Sequence, residues 1–313
     1  MSGVVFGRPY VPPPPVQPPS WTGLGVQWTG WNGSTWDLMS GAQGVALQPG
    51  YRGFGNPEFD SYRQQGPSVD GAIYNGFRVK EREVFLPLLV YVSGQSGDGS
   101  AGWLDTDRRF FDTMVPGKTG TITVTAPNGS SRTLDCKFES DNQQAFDNDP
   151  AFVGWAPYGV TLIADDPFWY GEDVEASWGV AATDSFFGGT GSQLFFISDG
   201  AGFDTAKLKN SGQHESYVEW TIKGGFETIK VGVGSNVVSI PFYVQDTDKV
   251  TINTAPSDMR VMVNGVNKTS LLTSMPRFTP IAGGVTTNLS VSYTGVATGT
   301  VAARLRTRYY RAW

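Results

Sequence analysis

Strict alternation of apolar and polar residues recurs along the second half of the chain and leaves little choice of fold there. Val218, Trp220 and Ile222 alternate with Tyr217, Glu219, Thr221 and Lys223, and Val250 and Ile252 alternate with Thr251 and Asn253. Val301, Ala303 and Leu305 alternate with Ala302, Arg304 and Arg306. Met259, Val261 and Val263 repeat the pattern, as do Leu289, Val291 and Tyr293. Successive strand side chains point to opposite faces, so a period of two buries one face and wets the other. With residues 194–197, 228–233 and 237–244, the count reaches about eight short strands, separated by turns such as Asn264-Gly265. Regular spacing of this kind predicts a β-sandwich of jelly-roll type.

The first half is less regular. Pro12, Pro13, Pro14 and Pro15, then Pro18 and Pro19, favour an extended polyproline arm over residues 1–20, lying on its own protein or on a neighbour. Asn32-Gly33 between two β-type runs reads as a hairpin turn. Residues 41–71 read as a long glycine-rich loop, a feature that often signals contacts with something else. Arg78, Lys80 and Arg82 alternate with Val79, Glu81 and Glu83, so both faces carry charge, and residues 85–92 then read as a strand buried on both faces. A helix is predicted from a cap at Asp105 or Thr106, with Phe110, Phe111 and Met114 as its apolar stripe and Pro116-Gly117 as its stop. In the hairpin that follows, Pro127-Asn128-Gly129 turns the chain, and Leu134, Cys136 and Phe138 share a face. A strand over 158–164 ends at Asp165-Asp166-Pro167-Phe168-Trp169-Tyr170-Gly171, where proline forbids continuing a central ladder. The chain therefore divides into an arm (1–20), a first domain (21–172), a linker (173–190) and a second domain (191–313).

The sequence offers little catalytic chemistry. Its one histidine, His214, sits in a polar turn, and no strained elbow surrounds any serine. One cysteine, Cys136, allows no intramolecular disulfide and reads as a small core residue. Asp165 and Asp166 are adjacent and would point to opposite faces of a strand, unlike the paired acids of a glycosidase. The segments Asp141-Asn142-Gln143-Gln144 and Asp147-Asn148-Asp149 lack the spacing of a calcium loop, and Gly117-Lys118-Thr119 lacks the upstream glycine of a phosphate loop. No catalytic residue, metal or cofactor is expected. A net charge of −6 argues against nucleic-acid binding, and no run of about 18 apolar residues suggests membrane insertion. The start of the chain lacks a secretory pattern, which fits a protein held in a cytoplasm until assembly. From Lys268 onward there are six basic residues and no acids. Arg304, Arg306 and Arg308 share a strand face with Arg311 beyond, which reads either as a solvated edge or as a patch meeting an acidic neighbour.

Four motifs in order resemble the siphovirus distal tail protein family. They are Asp70-Gly71-Ala72 followed by Arg82-Glu83-Val84-Phe85-Leu86-Pro87-Leu88; Arg108-Arg109-Phe110-Phe111; the Pro127-Asn128-Gly129 hairpin with Arg132-Thr133-Leu134; and the turn Asp165, Asp166, Pro167, Phe168, Trp169 and Gly171. Asn210-Ser211-Gly212 and residues 248–254 loosely match the second half of that family, and the closest feel is to minor tail proteins of phages infecting actinobacteria. The resemblance implies a mainly β protein, with a belt-type β-barrel or split barrel carrying one helix, then a galectin-like β-sandwich. It implies a homo-hexameric ring at the virion tail tip. That ring would join the tail-tube protein to the tip hub or tape-measure-associated proteins, and the genome would pass through without specific binding. A receptor-binding protein or host glycan could engage the outer domain. The rival readings are a carbohydrate-binding module with Trp178, Phe186 or Phe187 as platform, a tail-associated hydrolase, and a tail-tube protein.

Overall fold

A computed structural model describes residues 23–66, 70–93, 99–141, 148–179, 206–272 and 278–313. The first domain holds β1 (Gly25–Thr29), β2 (Thr35–Asp37), β3 (Val45–Leu47), β4 (Phe59–Gln64), β5 (Ile73–Val79) and β6 (Arg82–Tyr91). Helix α1 (Gly99–Phe111), β7 (Thr119–Thr125), β8 (Ser131–Asp141), the short α2 (Pro150–Val153), β9 (Trp155–Ala164) and β10 (Trp169–Tyr170) complete it. The second domain holds β11 (Val174–Gly179), β12 (Lys207–Lys209), β13 (Val218–Lys223), β14 (Phe226–Val233), β15 (Asn236–Ile240) and β16 (Lys249–Asn253). It continues with β17 (Arg260–Val263), β18 (Val266–Asn267), β19 (Thr286–Ala297) and β20 (Thr300–Leu305), and the chain closes with β21 (Arg308–Tyr309).

The first domain is a strongly bent, barrel-like sheet in the order β2-β1-β7-β8-β9-β6-β3, with β10 and β21 attached beside β8. Alternation sets its interior: Val84, Leu86, Leu88 and Val90 from β6 meet Val26, Trp28, Ile122, Val124, Leu134 and Leu162 in one core. The other face of β6 is half-buried, so that strand has one dry face and not two. The Asn32-Gly33 turn is as expected, with Gly33 at φ 79° between paired β1 and β2. Helix α1 begins at Gly99, ahead of the cap assigned to Asp105 or Thr106. Thr106 is instead buried inside the helix and donates its hydroxyl to Gly102 O, the local bond that also makes threonine look like a cap in sequence. The second domain packs sheet β11-β20-β13-β16-β17-β18 on sheet β12-β19-β14-β15 around Trp220, Phe226, Ile229, Ile252 and Leu305.

The structure departs from the sequence-based divisions in three places. Residues 41–71 are not one loop: they contain β3 and the Arg52–Phe85 bridge, both paired to β6, and β4, which forms a hairpin with β5. Val174–Gly179, read as part of a linker, pairs with β20 along its whole length and is the edge of the second domain. Residues past β20 leave the sandwich: β21 pairs with β10, and Ala312 is buried in the first-domain core. The arm at Pro12–Pro15 and the strand expected at 194–197 lie outside the described residues.

Candidate functional site

Two features stand out, a projecting hairpin and a polar joint. The hairpin is β4–β5, a two-stranded sheet of its own. All six residues of β4 and most of β5 are exposed. Phe59, Tyr62, Ile73, Tyr74 and Phe77 are each about half exposed, with Ile73 at 57%. Phe59 packs edge-on against Phe77 at 5.9 Å. At its base, Phe59, Tyr74, Phe77, Val79 and Tyr310 line an apolar groove of about 310 Å³. An isolated two-stranded ribbon is marginal in water, and clustered apolar side chains on one mark an interaction surface.

The joint is built on the turn that ends β9. Asp166 accepts from the Arg308 guanidinium and the Tyr170 hydroxyl, both at 2.5 Å, and from the Phe168 amide. Burial pushes the Tyr170 phenol up to about 12, helped by the Asp166 carboxylate. Arg308 lies over the Phe168 ring at 4.5 Å, and Phe168 stacks on His214 at 4.1 Å. Gly171 is required here: a Cβ would stand 2.6 Å from the Tyr309 ring. Asp165 faces outward and pairs with Lys137. Pro167 contributes its carbonyl to Arg82, and Trp169 is fully buried.

Arg82 fastens the joint from beneath. It opens β6 opposite Ala164, so its side chain starts at the end of the β6–β9 ladder nearest the turn. It is 2% exposed and donates to Pro167 O and Gly53 O at 2.6 Å, and to Gly55 O and Tyr310 O at 2.7 Å. Burial lowers its pKa to about 10, so it stays charged at neutral pH. One guanidinium thus ties β6, the Gly53–Gly55 loop, the turn and the C-terminal segment together.

The C-terminal arginines are engaged within the chain. Arg304 bonds Asp173 and approaches Glu175 and Glu219 at 3.6 Å. Arg306 stacks on Tyr170 and lies 3.8 Å from Asp135, while Arg308 holds Asp166. Arg311 rests on Trp313 with no carboxylate partner among the described residues. Cys136 is buried and its thiol is pushed up by burial. Among the described residues, no group of three or more His, Cys, Asp or Glu could hold a metal, and no helix is long and apolar enough to cross a membrane. Trp178 is in the second core, so it offers no open platform; Phe186, Phe187 and the 142–147 segment lie outside the described residues. Sequence reasoning missed the hairpin aromatics, and it named Arg82 only within a motif and not as a buried anchor. For the hairpin the signal was present in the charges on both faces from Arg78 onward, since a strand charged on both sides cannot lie inside a core.

No family model matches the chain. Minor tail protein Gp27 of Mycobacterium phage L5 is 27% identical over 149 residues, 47% of this chain and 44% of that protein. The protein of the same name from Mycobacterium phage D29 is 26% identical over 149 residues, with the same shares. The chain therefore spans less than half the length of the curated relatives it matches. Among solved structures, the SPP1 Dit (gp 19.1) protein, described as a paradigm of hub adsorption apparatus in Gram-positive infecting phages, aligns with TM-score 0.60 at 13% identity. That alignment covers 92% of this chain and 99% of the other. A chain of the phage P2 baseplate in its activated conformation aligns with TM-score 0.53 at 11% identity, over 90% and 98%. The fold is therefore that of the phage Dit hub proteins, a barrel-like domain followed by a galectin-like sandwich. Within that fold, the sequence is similar to mycobacteriophage minor tail proteins.

Proposed function

We propose that this chain is a structural subunit of a siphophage tail tip, a distal hub whose first domain assembles into a homo-hexameric ring. The reading rests on the β4–β5 hairpin. Its ribbon edges and its exposed Phe59, Tyr74 and Phe77 need a partner surface, and a rotationally repeated copy supplies one at every subunit. The ring would join the tail tube above to tip-hub or tape-measure-associated proteins below. The second domain would face outward, towards receptor-binding proteins or the host surface. A scaffold of this kind uses interfaces and needs no catalytic group.

Light scattering on the purified chain, alone and with preformed tail-tube rings, tests the reading. A hexamer in either condition is the expected result. Phe59→Ser combined with Phe77→Ser should leave a folded monomer with an unchanged melting profile. A wild-type chain that stays monomeric in both conditions, or a double variant that assembles normally, would overturn it.

A further inference from the structure

Beyond the hub role, we propose that the polar cleft between the joint and the second sandwich binds a neutral polyhydroxyl ligand, one or two sugar rings in size. The cleft has a volume of about 420 Å³ and is bordered by Asp166 and Tyr170 of the turn, Ser216 and Glu219 around β13, and Arg260 and Arg304 of the second domain. That is the scale of a small-ligand site, although its lining is polar.

Charge arrangement selects the ligand class. Three of the four guanidinium groups on the wall have a wall carboxylate beside them: Arg260 lies 3.0 Å from Asp258, Arg304 lies 3.6 Å from Glu219, and Arg308 bonds Asp166. A bare anion placed against any of these arginines meets a neighbouring carboxylate, and a cation meets a guanidinium. Vicinal hydroxyls suit both, because each hydroxyl donates to a carboxylate and accepts from a guanidinium. The wall also keeps hydrogen-bonding capacity in reserve. Among the described residues, Glu219 has that one long ionic contact to Arg304, and Arg306 has a carboxylate no nearer than 3.8 Å.

A second observation points the same way. The Ser216 hydroxyl is buried and has no hydrogen-bond partner among the described residues, and the residue borders this cleft. Its backbone is fixed by reciprocal bonds to Ile281, so the hydroxyl cannot leave the wall by moving the strand. An unsatisfied buried hydroxyl costs stability, and rotation of the Ser216 side chain towards the cleft would let a ligand hydroxyl remove that cost.

The test is saturation-transfer NMR on the full chain with maltose, lactose and cellobiose, each up to roughly 10 mM, with inorganic sulfate added as a competitor so that its binding is read as loss of the sugar signal. At least one disaccharide should give transfer. Ser257→Trp, at an exposed position bordering the cleft, and Glu219→Gln should each weaken it about tenfold. Ser257→Trp should leave the thermal midpoint unchanged, which separates a blocked site from an unfolded one. No transfer from any of the three sugars, transfer unaffected by both substitutions, or tighter binding of sulfate than of every sugar would overturn the proposal. The mass of the same sample reports on the ring independently.

Discussion

Replacing Arg82 by methionine isolates the energetics of the joint. The two side chains have similar length, so the substitution removes the charge and the donors while keeping most of the volume. Four carbonyls, those of Gly53, Gly55, Pro167 and Tyr310, lose their donor. At about 1.5 kcal/mol for each stranded acceptor the loss is roughly 6 kcal/mol. Against it stands the desolvation that methionine does not suffer. A guanidinium pulled down to about 10 by burial bears roughly 3 kcal/mol of that penalty. The net expectation is a destabilisation of about 3 kcal/mol, or on the order of 8 °C in the first domain's melting midpoint. Buried ion pairs are often replaced by apolar residues at no cost, because both partners go together. Here the acceptors are main-chain carbonyls and remain. Differential scanning calorimetry with hydrogen exchange over residues 306–313 reads both effects: a lower midpoint and faster exchange in the C-terminal segment. A methionine variant within about 1 kcal/mol of wild type would refute the reasoning, since it would mean that water satisfies these carbonyls as well as Arg82 does.

Two further outcomes follow from the packing. Burial holds the His214 imidazole below its ordinary pKa, with Arg308 adding to the effect and Glu215 and Asp166 opposing it. The unfolded chain then takes up the proton first, so this contribution is complete above about pH 6.5 and is lost as pH falls through the lower folded value. Urea midpoints measured across that window should decline towards acid and should flatten in His214→Gln; an equal slope in the variant would remove His214 as the cause. Gly120→Ala would place a Cβ 2.3 Å from the Trp28 ring and 2.8 Å from Thr29 O, against an indole fixed by its bond to Thr113. Overpacking of this kind should cost about 1–3 kcal/mol in chemical denaturation, and a neutral result would show that the β1–β7 pair can shift to accommodate it.

Legibility in the sequence followed physical cause. Strands β13, β16, β17 and β20 could be read because each has one wet and one dry face, and the period of two records that directly. Hairpin β4–β5 could not be read this way, since a ribbon exposed on both faces has no burial alternation to display. Strand β11 was hidden for another reason. Its pattern is short and weak, and its pairing partner, β20, lies over a hundred residues away in the sequence. The turn at Asp165–Gly171 was found through its resemblance to a family. Its partners were not legible, because Arg82, His214 and Arg308 come from segments with no local relation to it.

The same long-range closure decides what the C-terminal arginines do. In sequence they form a basic face without acids, which invites a partner of opposite charge. In the fold the acids come from Asp135, Asp166, Asp173, Glu175 and Glu219, all earlier in the chain, and the positive face is largely neutralised where it forms. The arginines therefore act on domain geometry. A single strand crossing between two domains would be free to twist. Here the chain crosses twice, at Gly171–Val174 and at Leu305–Arg308, and the crossings are bonded to each other: the Gly171 amide to Thr307 O, and the Thr307 hydroxyl to Glu172 O. Arg304 bonds Asp173 on one crossing from the strand that begins the other, and Arg308 bonds Asp166 across the same gap. Paired crossings with ionic ties resist both bending and twisting, so the orientation of the second domain relative to the first is set by this joint. In the proposed ring, that would present each second domain at the same angle.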